Sequence, residues 1–180
     1  LSQISQAEAK KFFIEQTRLK KWRRTGIIWW NMLDCWPQIS DAVVDYYFHK
    51  KLAFYYIGRV QQPVCMVCAE PENWCHKIFL CNDSNEAHTV RYTVRDGETR
   101  EPLCVGEAVS PANENVCVGK VKTYSGVQRL FVMEWTLEDG RRGANHYVTG
   151  YPAFDARRYA VWLGIIEKLD TPFDSAGCFA

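Results

Sequence analysis

Residues 26–64 read G-I-I-W-W-N-M-L-D-C-W-P-Q-I-S-D-A-V-V-D-Y-Y-F-H-K-K-L-A-F-Y-Y-I-G-R-V-Q-Q-P-V, from Gly26 to Val64. The stretch opens apolar and turns polar at Asn31. A continuous apolar run over 26–32 suits a strand covered on both faces. Residues 33–40 read as a loop, broken at Trp36-Pro37. The spacing of Leu52, Phe54, Tyr55, Tyr56, Ile57 and Val60 predicts a helix over 49–60. Four of the seven tryptophans (Trp22, Trp29, Trp30, Trp36) lie in or just before this stretch.

Upstream, residues 6–24 are expected to be helical. Ala9, Phe12, Phe13, Leu19 and Trp22 recur at helical spacing, and basic residues crowd the end. Ser5 and Glu8 have capping-box spacing, and Gly26 reads as the stop. Helix, strand, loop and helix in that order form the repeating unit of a (β/α) barrel. One strand between two helices cannot make a sheet, so residues 1–62 are expected to be one unit of a larger barrel. The opening L-S-Q-I-S-Q-A-E-A-K-K is polar and lacks an initiator Met, so it reads as an internal start.

After Pro63 the rhythm changes. Seven short runs read as strands: V-C-M-V-C-A, H-K-I-F-L-C-N, H-T-V-R-Y-T-V-R-D, L-C-V-G-E-A-V, E-N-V-C-V-G-K-V, Q-R-L-F-V-M-E-W-T-L and A-N-H-Y-V-T. Turn signals separate them, among them N-D-S-N, D-G and E-D-G. Even spacing and alternation predict a mainly β fold, an antiparallel sandwich of immunoglobulin type over residues 63–180. A helix over 155–166 and an irregular tail close the chain.

Composition excludes some functions. Across 180 residues, 22 basic and 21 acidic side chains leave a net charge of +1. A nucleic-acid surface needs a concentrated basic field, so no nucleic-acid partner is expected. No apolar run approaches membrane-spanning length, so no membrane partner is expected either. The eight cysteines sit largely in apolar strand-like runs, where Cys acts as a small hydrophobe, so reduced buried thiols and a cytoplasmic rather than secreted protein are expected. C-x-x-C at Cys65 and Cys68, with Cys75, His76 and Cys81 nearby, has no second tight pair. No metal or cofactor is expected. His49, His88 and His146 show no carboxylate partner at a telling spacing and read as surface or packing residues.

The central stretch resembles the end of the catalytic barrel in glycoside hydrolase family 2, on its β-mannosidase and exo-β-glucosaminidase side. The family pattern is G-x-x-x-W-Q-x-N-D-x-W-P-x-x-S-W-x-x-x-D-Y, followed by a Lys and an aromatic helix reaching Pro-Val. Gly26, Trp30, Asp34, Trp36, Pro37, Ser40, Asp45 and Tyr46 match it. Lys50 or Lys51, Tyr55, Tyr56, Pro63 and Val64 match further on. The run A-N-H-Y-V-T-G-Y-P-A-F-D-A-R-R-Y-A-V-W-L is similar to that family's last domain. Asn31, Leu33 and Asp41 depart from the pattern, where the family has Gln, Asn and Trp.

The resemblance implies a parent that hydrolyses terminal β-linked sugars with retention. Such chemistry needs two carboxyl groups about 5 Å apart. The family's acid/base and nucleophile Glu belong to earlier barrel strands and have no match in this sequence. The only nearby carboxylates are Asp34, Asp41 and Asp45. No catalytic residue is therefore assigned, and the chain alone is expected to be inactive.

Trp30, Asn31, Asp34 and Trp36 are the candidate substrate-binding residues. Trp30 would stack on the sugar ring, as the resemblance implies, while Trp29 faces the opposite way and packs on a helix. Asp34 can equally serve only to stabilise the loop, and Trp36-Pro37 can be a loop clamp. The expected partners are carbohydrate and whatever covers residues 26–32, either the rest of a barrel or a second copy. The alternative function is a non-catalytic carbohydrate-binding or protein-interaction sandwich. Its sugar face would be drawn from Trp74, Tyr92, Tyr124, Trp135, Tyr147 and Tyr151, unless these are core.

Overall fold

The computed structural model describes residues 1–124, 126–150 and 155–179. Two helices come first, α1 (Ser2–Leu19) and α2 (Leu52–Val60). Seven strands follow: β1 (Val64–Cys68), β2 (Cys75–Asn82), β3 (His88–Asp96), β4 (Pro102–Ser110), β5 (Asn115–Lys122), β6 (Arg129–Leu137) and β7 (Arg142–Thr149). Helix α3 (Ala156–Ile166) and a short 3-10 turn (Ala176–Cys178) complete the described chain. The strands form two antiparallel sheets, β1-β2-β5 and β4-β3-β6-β7. The mainly β, sandwich fold class read from the sequence holds.

Alternation sets which residues fill the sandwich. In β3, His88, Val90, Tyr92, Val94 and Asp96 turn inward while the residues between them are more exposed. β6 is buried on both faces. Phe131, Met133, Trp135 and Leu137 enter the core between the sheets, whereas Leu130 and Val132 enter a second core under the helices. Tyr92 crosses the sandwich and donates its hydroxyl proton to the Val118 carbonyl at 2.7 Å. At the E-D-G turn between β6 and β7, Gly140 has φ +86°, which suits a residue without Cβ.

The three helices share the second core with the outer faces of β6 and β7. Ile4, Ala7 and Ile14 of α1 meet Leu52, Tyr56 and Val60 of α2, and Tyr159, Trp162 and Ile166 of α3. α3 begins with Asp155 as N-cap, its carboxylate accepting from the Arg157 and Arg158 amides. Arg59 of α2 is buried; its guanidinium donates to the Ile166 carbonyl at 2.7 Å and the Thr171 carbonyl at 3.0 Å. These contacts tie α2 to the end of α3 and the tail.

α1 departs from its expected form. It begins at Ser2 and ends at Leu19, so neither Ser5 nor Gly26 bounds it. Its buried stripe is Ile4, Ala7, Lys11, Ile14 and Glu15, not the aromatic one, and Phe12 and Phe13 are exposed. Charged residues occupy this stripe because partners await them. Lys11 pairs with Glu15 at 2.8 Å, and Glu15 accepts from the Asn145 amide at 2.7 Å. Asn145 also donates to the Met66 carbonyl at 2.8 Å, joining the free edges of β7 and β1 beneath α1.

One turn away, Glu8 accepts from Tyr159 at 2.5 Å and lies 2.9 Å from His146 Nε2. At the far end Arg18 donates to the carbonyls of Val60, Gln62, Pro63 and Cys81, and pairs with Asp83 at 2.9 Å.

α1 and α2 lie parallel. Gln3, at the start of α1, accepts from the Leu52 amide at the start of α2, and Arg18 meets Val60 at their ends. Parallel neighbours require the chain to return along their length. Residues 26–32 make that return. Ile27 lines a cleft with Ile14, Thr17 and Arg18, and the Lys10 ammonium donates to the Trp30 carbonyl further back. Ile27 and Trp29 turn inward, while Ile28, Trp30 and Met32 are exposed. The segment thus runs extended with strand-like alternation, but residues 26–32 are not a hydrogen-bonded strand as expected. A strand needs a hydrogen-bonded neighbour: Asn31 and Met32 accept from the Val43 and Val44 amides, but among the described residues 26–30 pair with no strand. The following helix begins at Leu52 rather than His49.

His146 is neutral in this fold. Burial outweighs the pull of Glu8 and lowers its pKa from 6.5 to about 4, with Lys11 and Arg59 adding to the effect. The unfolded chain therefore takes up this proton more readily than the folded one. Stability is full above about pH 6.5 and declines as the pH falls towards 4. Thermal melting at pH 7 and pH 4.5 checks this, and His146→Gln is expected to flatten that pH slope.

Candidate functional site

The loop after the return segment is held from both sides. From α1, Gln6 donates to the Asp41 and Ala42 carbonyls, at 2.5 and 3.3 Å. Lys10 lies 4.7 Å from the centre of the Trp29 ring, a cation–π contact. Within the loop, residues 43–45 form a short rung between two neighbours. The Val43 and Val44 amides donate to Asn31 and Met32, at 3.2 and 2.9 Å. On the other side, the Lys51 amide donates to Val43 at 2.9 Å. Leu33 and Val44 bridge in parallel, Val44 and Lys50 antiparallel.

Asp34 is the internal anchor of this loop. It is buried, and accepts from the Ser40 hydroxyl, from Gln38 at 3.1 Å and from the Lys51 ammonium at 3.2 Å. Lys51 donates also to the Ser40 carbonyl, and the Ala42 amide to the Ser40 hydroxyl. The Ser40 hydrogen bond, with those of Lys51 and Gln38, holds the Asp34 carboxyl below its ordinary range. Its acceptor sites are directed inward to the loop, which is the loop-stabilising role.

The other three candidates face differently. Trp30 is 75% exposed and Trp36 is 61% exposed. Asn31 is half-buried, and its amide oxygen is buried without a hydrogen-bond partner among the described residues. Trp29 packs against the helices, as the alternation predicts. Ten large apolar side chains between residues 22 and 48 are exposed, among them Ile28, Met32, Ile39 and Phe48. That density over so short a stretch marks an interaction surface. The loop that carries most of them is tied through Gln6 and Gln3 to the N-terminal ends of the parallel helices, the end where a (β/α) unit carries its functional loops, whereas Trp22 lies by the end of α1.

The histidines correct the sequence reading, because all three have carboxylate partners. His49 Nδ1 is 3.0 Å from Asp45, His88 Nδ1 3.1 Å from Glu138, and His146 is with Glu8. The last two pairs span 50 and 138 residues, so spacing carried no signal. All eight cysteines are free, four of them buried, while Cys35 and Cys117 are exposed. Burial pushes the Cys65 and Cys81 thiols up to about 12. Of the sandwich aromatics, Tyr92, Trp135 and Tyr147 are buried, whereas Trp74 and Tyr124 are exposed. Tyr151 lies outside the described residues.

Comparison with known proteins agrees with this architecture. No family profile matches the chain. β-Mannosidase B of Aspergillus flavus is 37% identical over 83 residues, covering 41% of this chain and 9% of that protein. The Emericella nidulans β-mannosidase B matches with the same identity and coverage. The crystal structure of a β-D-mannosidase from Dictyoglomus thermophilum superposes with a TM-score of 0.68 and 28% identity, over 81% of this chain and 19% of that one.

The chain is a relative of the glycoside hydrolase family 2 β-mannosidases. The match lies in their C-terminal region. An exo-chitosanase of Amycolatopsis orientalis, 17% identical, shares the fold with a TM-score of 0.67 over 84% of this chain. The chain spans about 9% of the length of the curated relatives it matches.

Asp34→Ala would leave Ser40, Gln38 and Lys51 without their common acceptor. Amide exchange at Val43 and Val44 is expected to quicken roughly tenfold, with the β3 and β6 amides unchanged. Hydrogen exchange read by NMR checks this.

Proposed function

We propose that this chain forms one wall of the sugar pocket of a retaining exo-β-glycosidase of β-mannosidase type, with the sandwich as its support. The carrying observation is the pairing of a locked loop with an exposed indole. Asp34 fixes the backbone from inside, Trp30 is exposed, and the next residue, Asn31, has a buried amide oxygen without a partner among the described residues. An indole face suits the apolar face of a pyranose ring. A buried acceptor without a partner suits a sugar hydroxyl, which would satisfy it.

In this reading Trp30 stacks on the terminal sugar, Asn31 accepts from a hydroxyl, and Trp36 borders the pocket. Asp34 holds the loop and takes no proton from substrate. Residues 26–32 pair with a neighbouring barrel strand, which would cover Ile28 and Met32. The two carboxyl groups of the reaction come from that neighbouring portion. Asp41 is exposed and Asp45 is held by His49, so neither is built into a pair.

Purified chain alone is expected to show no hydrolysis of aryl β-mannoside that scales with its concentration. Fusion to the preceding barrel portion of a β-mannosidase relative is expected to restore turnover. In that fusion, Trp30→Ala should lower kcat/KM by roughly 10- to 100-fold. Turnover by the chain alone, or a Trp30→Ala fusion with full kcat/KM, would overturn the assignment.

A further inference from the structure

A second groove lies at one end of the sandwich, on elements other than those of the Trp30 loop. Its volume is about 550 Å³, within the range of small-ligand sites. Asn73 and Trp74 come from the β1–β2 turn, Thr123 and Tyr124 follow β5, and Thr149 ends β7. Trp74 is 67% exposed and Tyr124 59% exposed, two aromatic faces open to solvent on one groove.

The indole is held out by its backbone. Asn73 and Trp74 have φ of +51° and +60°, the left-handed region that side chains with Cβ disfavour. The Thr123 amide donates to the Trp74 carbonyl at 3.0 Å, and β2 and β5 pair from Cys75 and Lys122 onwards. An exposed tryptophan fixed in a disfavoured conformation gains nothing from burial where it stands.

The floor of the groove has a defined polarity. His76 is fully buried, and burial lowers its pKa, so the imidazole is neutral. Its Nδ1 lies 2.8 Å from the Ala69 carbonyl, which can only accept, so Nδ1 carries the proton. Nε2 is then an acceptor, and the Thr149 hydroxyl, 2.7 Å away, donates to it. With that proton given to His76, Thr149 accepts from the Thr123 hydroxyl and keeps one lone pair for a further donor. The Thr123 hydroxyl stands 3.5 Å away at the rim. A relay from Ala69 through His76 thus fixes Thr149 as an acceptor at the groove.

None of the groove's described lining residues carries a formal charge. Aromatic faces, hydroxyls and an amide without charge suit a neutral, hydroxyl-rich ring with one apolar face. We propose that the groove of Trp74, Tyr124 and Thr149 is a second carbohydrate site that binds neutral oligosaccharide. Trp74 stacks on one sugar ring, Tyr124 borders the next, and Thr149 accepts from a ring hydroxyl.

Calorimetric titration of the whole chain with mannotriose and with cellotriose tests this. At least one is expected to bind at a single site. Trp74→Ala and Tyr124→Ala should each weaken that binding about tenfold or more, whereas Trp30→Ala should leave it unchanged. Both groove side chains are exposed, so the melting temperatures of these variants should match that of the parent chain. Absence of binding by both sugars overturns the proposal, as does full affinity in Trp74→Ala. Loss of binding in Trp30→Ala moves the site to the first loop and also overturns it. The activity of a barrel fusion does not enter this readout, so the two sugar assignments fail separately.

Discussion

Helix α1 is held to the sandwich through buried charge as well as apolar packing, and the rest of the molecule is arranged around that contact. Lys11, Glu15 and Arg18 reach into protein rather than solvent. Each would be costly there without partners, since a buried ion must be paired and hydrogen-bonded. The partners come from parts of the chain far apart: Asn145 on β7 for Glu15 and carbonyls around Pro63 for Arg18, while Glu8, one turn earlier, meets His146 on β7 and Tyr159 on α3. Removing α1 would strip all of these at once. It would also uncover β1 and β7, whose free edges lie beneath it.

The same helix organises the loop. Ile4, Ala7, Ile14 and the buried charges face the cores, while Gln3, Gln6 and Lys10 hold the returning chain. One element therefore couples the sandwich to the Trp30 surface through two stripes about a third of a turn apart. Because α1 and α2 run parallel, the chain between them returns to its starting end. The loop carrying Trp30, Asn31 and Trp36 is thereby brought there.

The sandwich was legible because its signals are local. β3 matched its expected span of residues 88–96, where alternation is strict and a D-G turn follows. The helical end was less legible. Phe12 and Phe13 look like a core stripe, but α1 buries Lys11 and Glu15 instead. Hydrophobicity cannot reveal a buried charge whose partner is more than a hundred residues away.

For Asp34 the sequence leaves two readings, pocket residue and loop stabiliser. The structure places Ser40, Gln38 and Lys51 around it, all within 17 residues. Residues 26–32 carry the pattern of a covered strand. Residues 26–30 lack the pairing because hydrogen bonds to a neighbour are not a property of the segment itself.

The anchoring of α1 to α2 has a consequence for how such a chain diversifies. The two helices meet at both ends, through Gln3 with Leu52 and Arg18 with Val60, and neither contact involves the interval 20–51. That interval is an insert whose endpoints are fixed by the frame around it. Lengthening or recomposing it alters loop-closure entropy only logarithmically. The exposed positions of 33–49 can thus be recomposed, remaking the aromatic surface, so long as Asp34, Ala42 and Val43 keep their buried places against the frame.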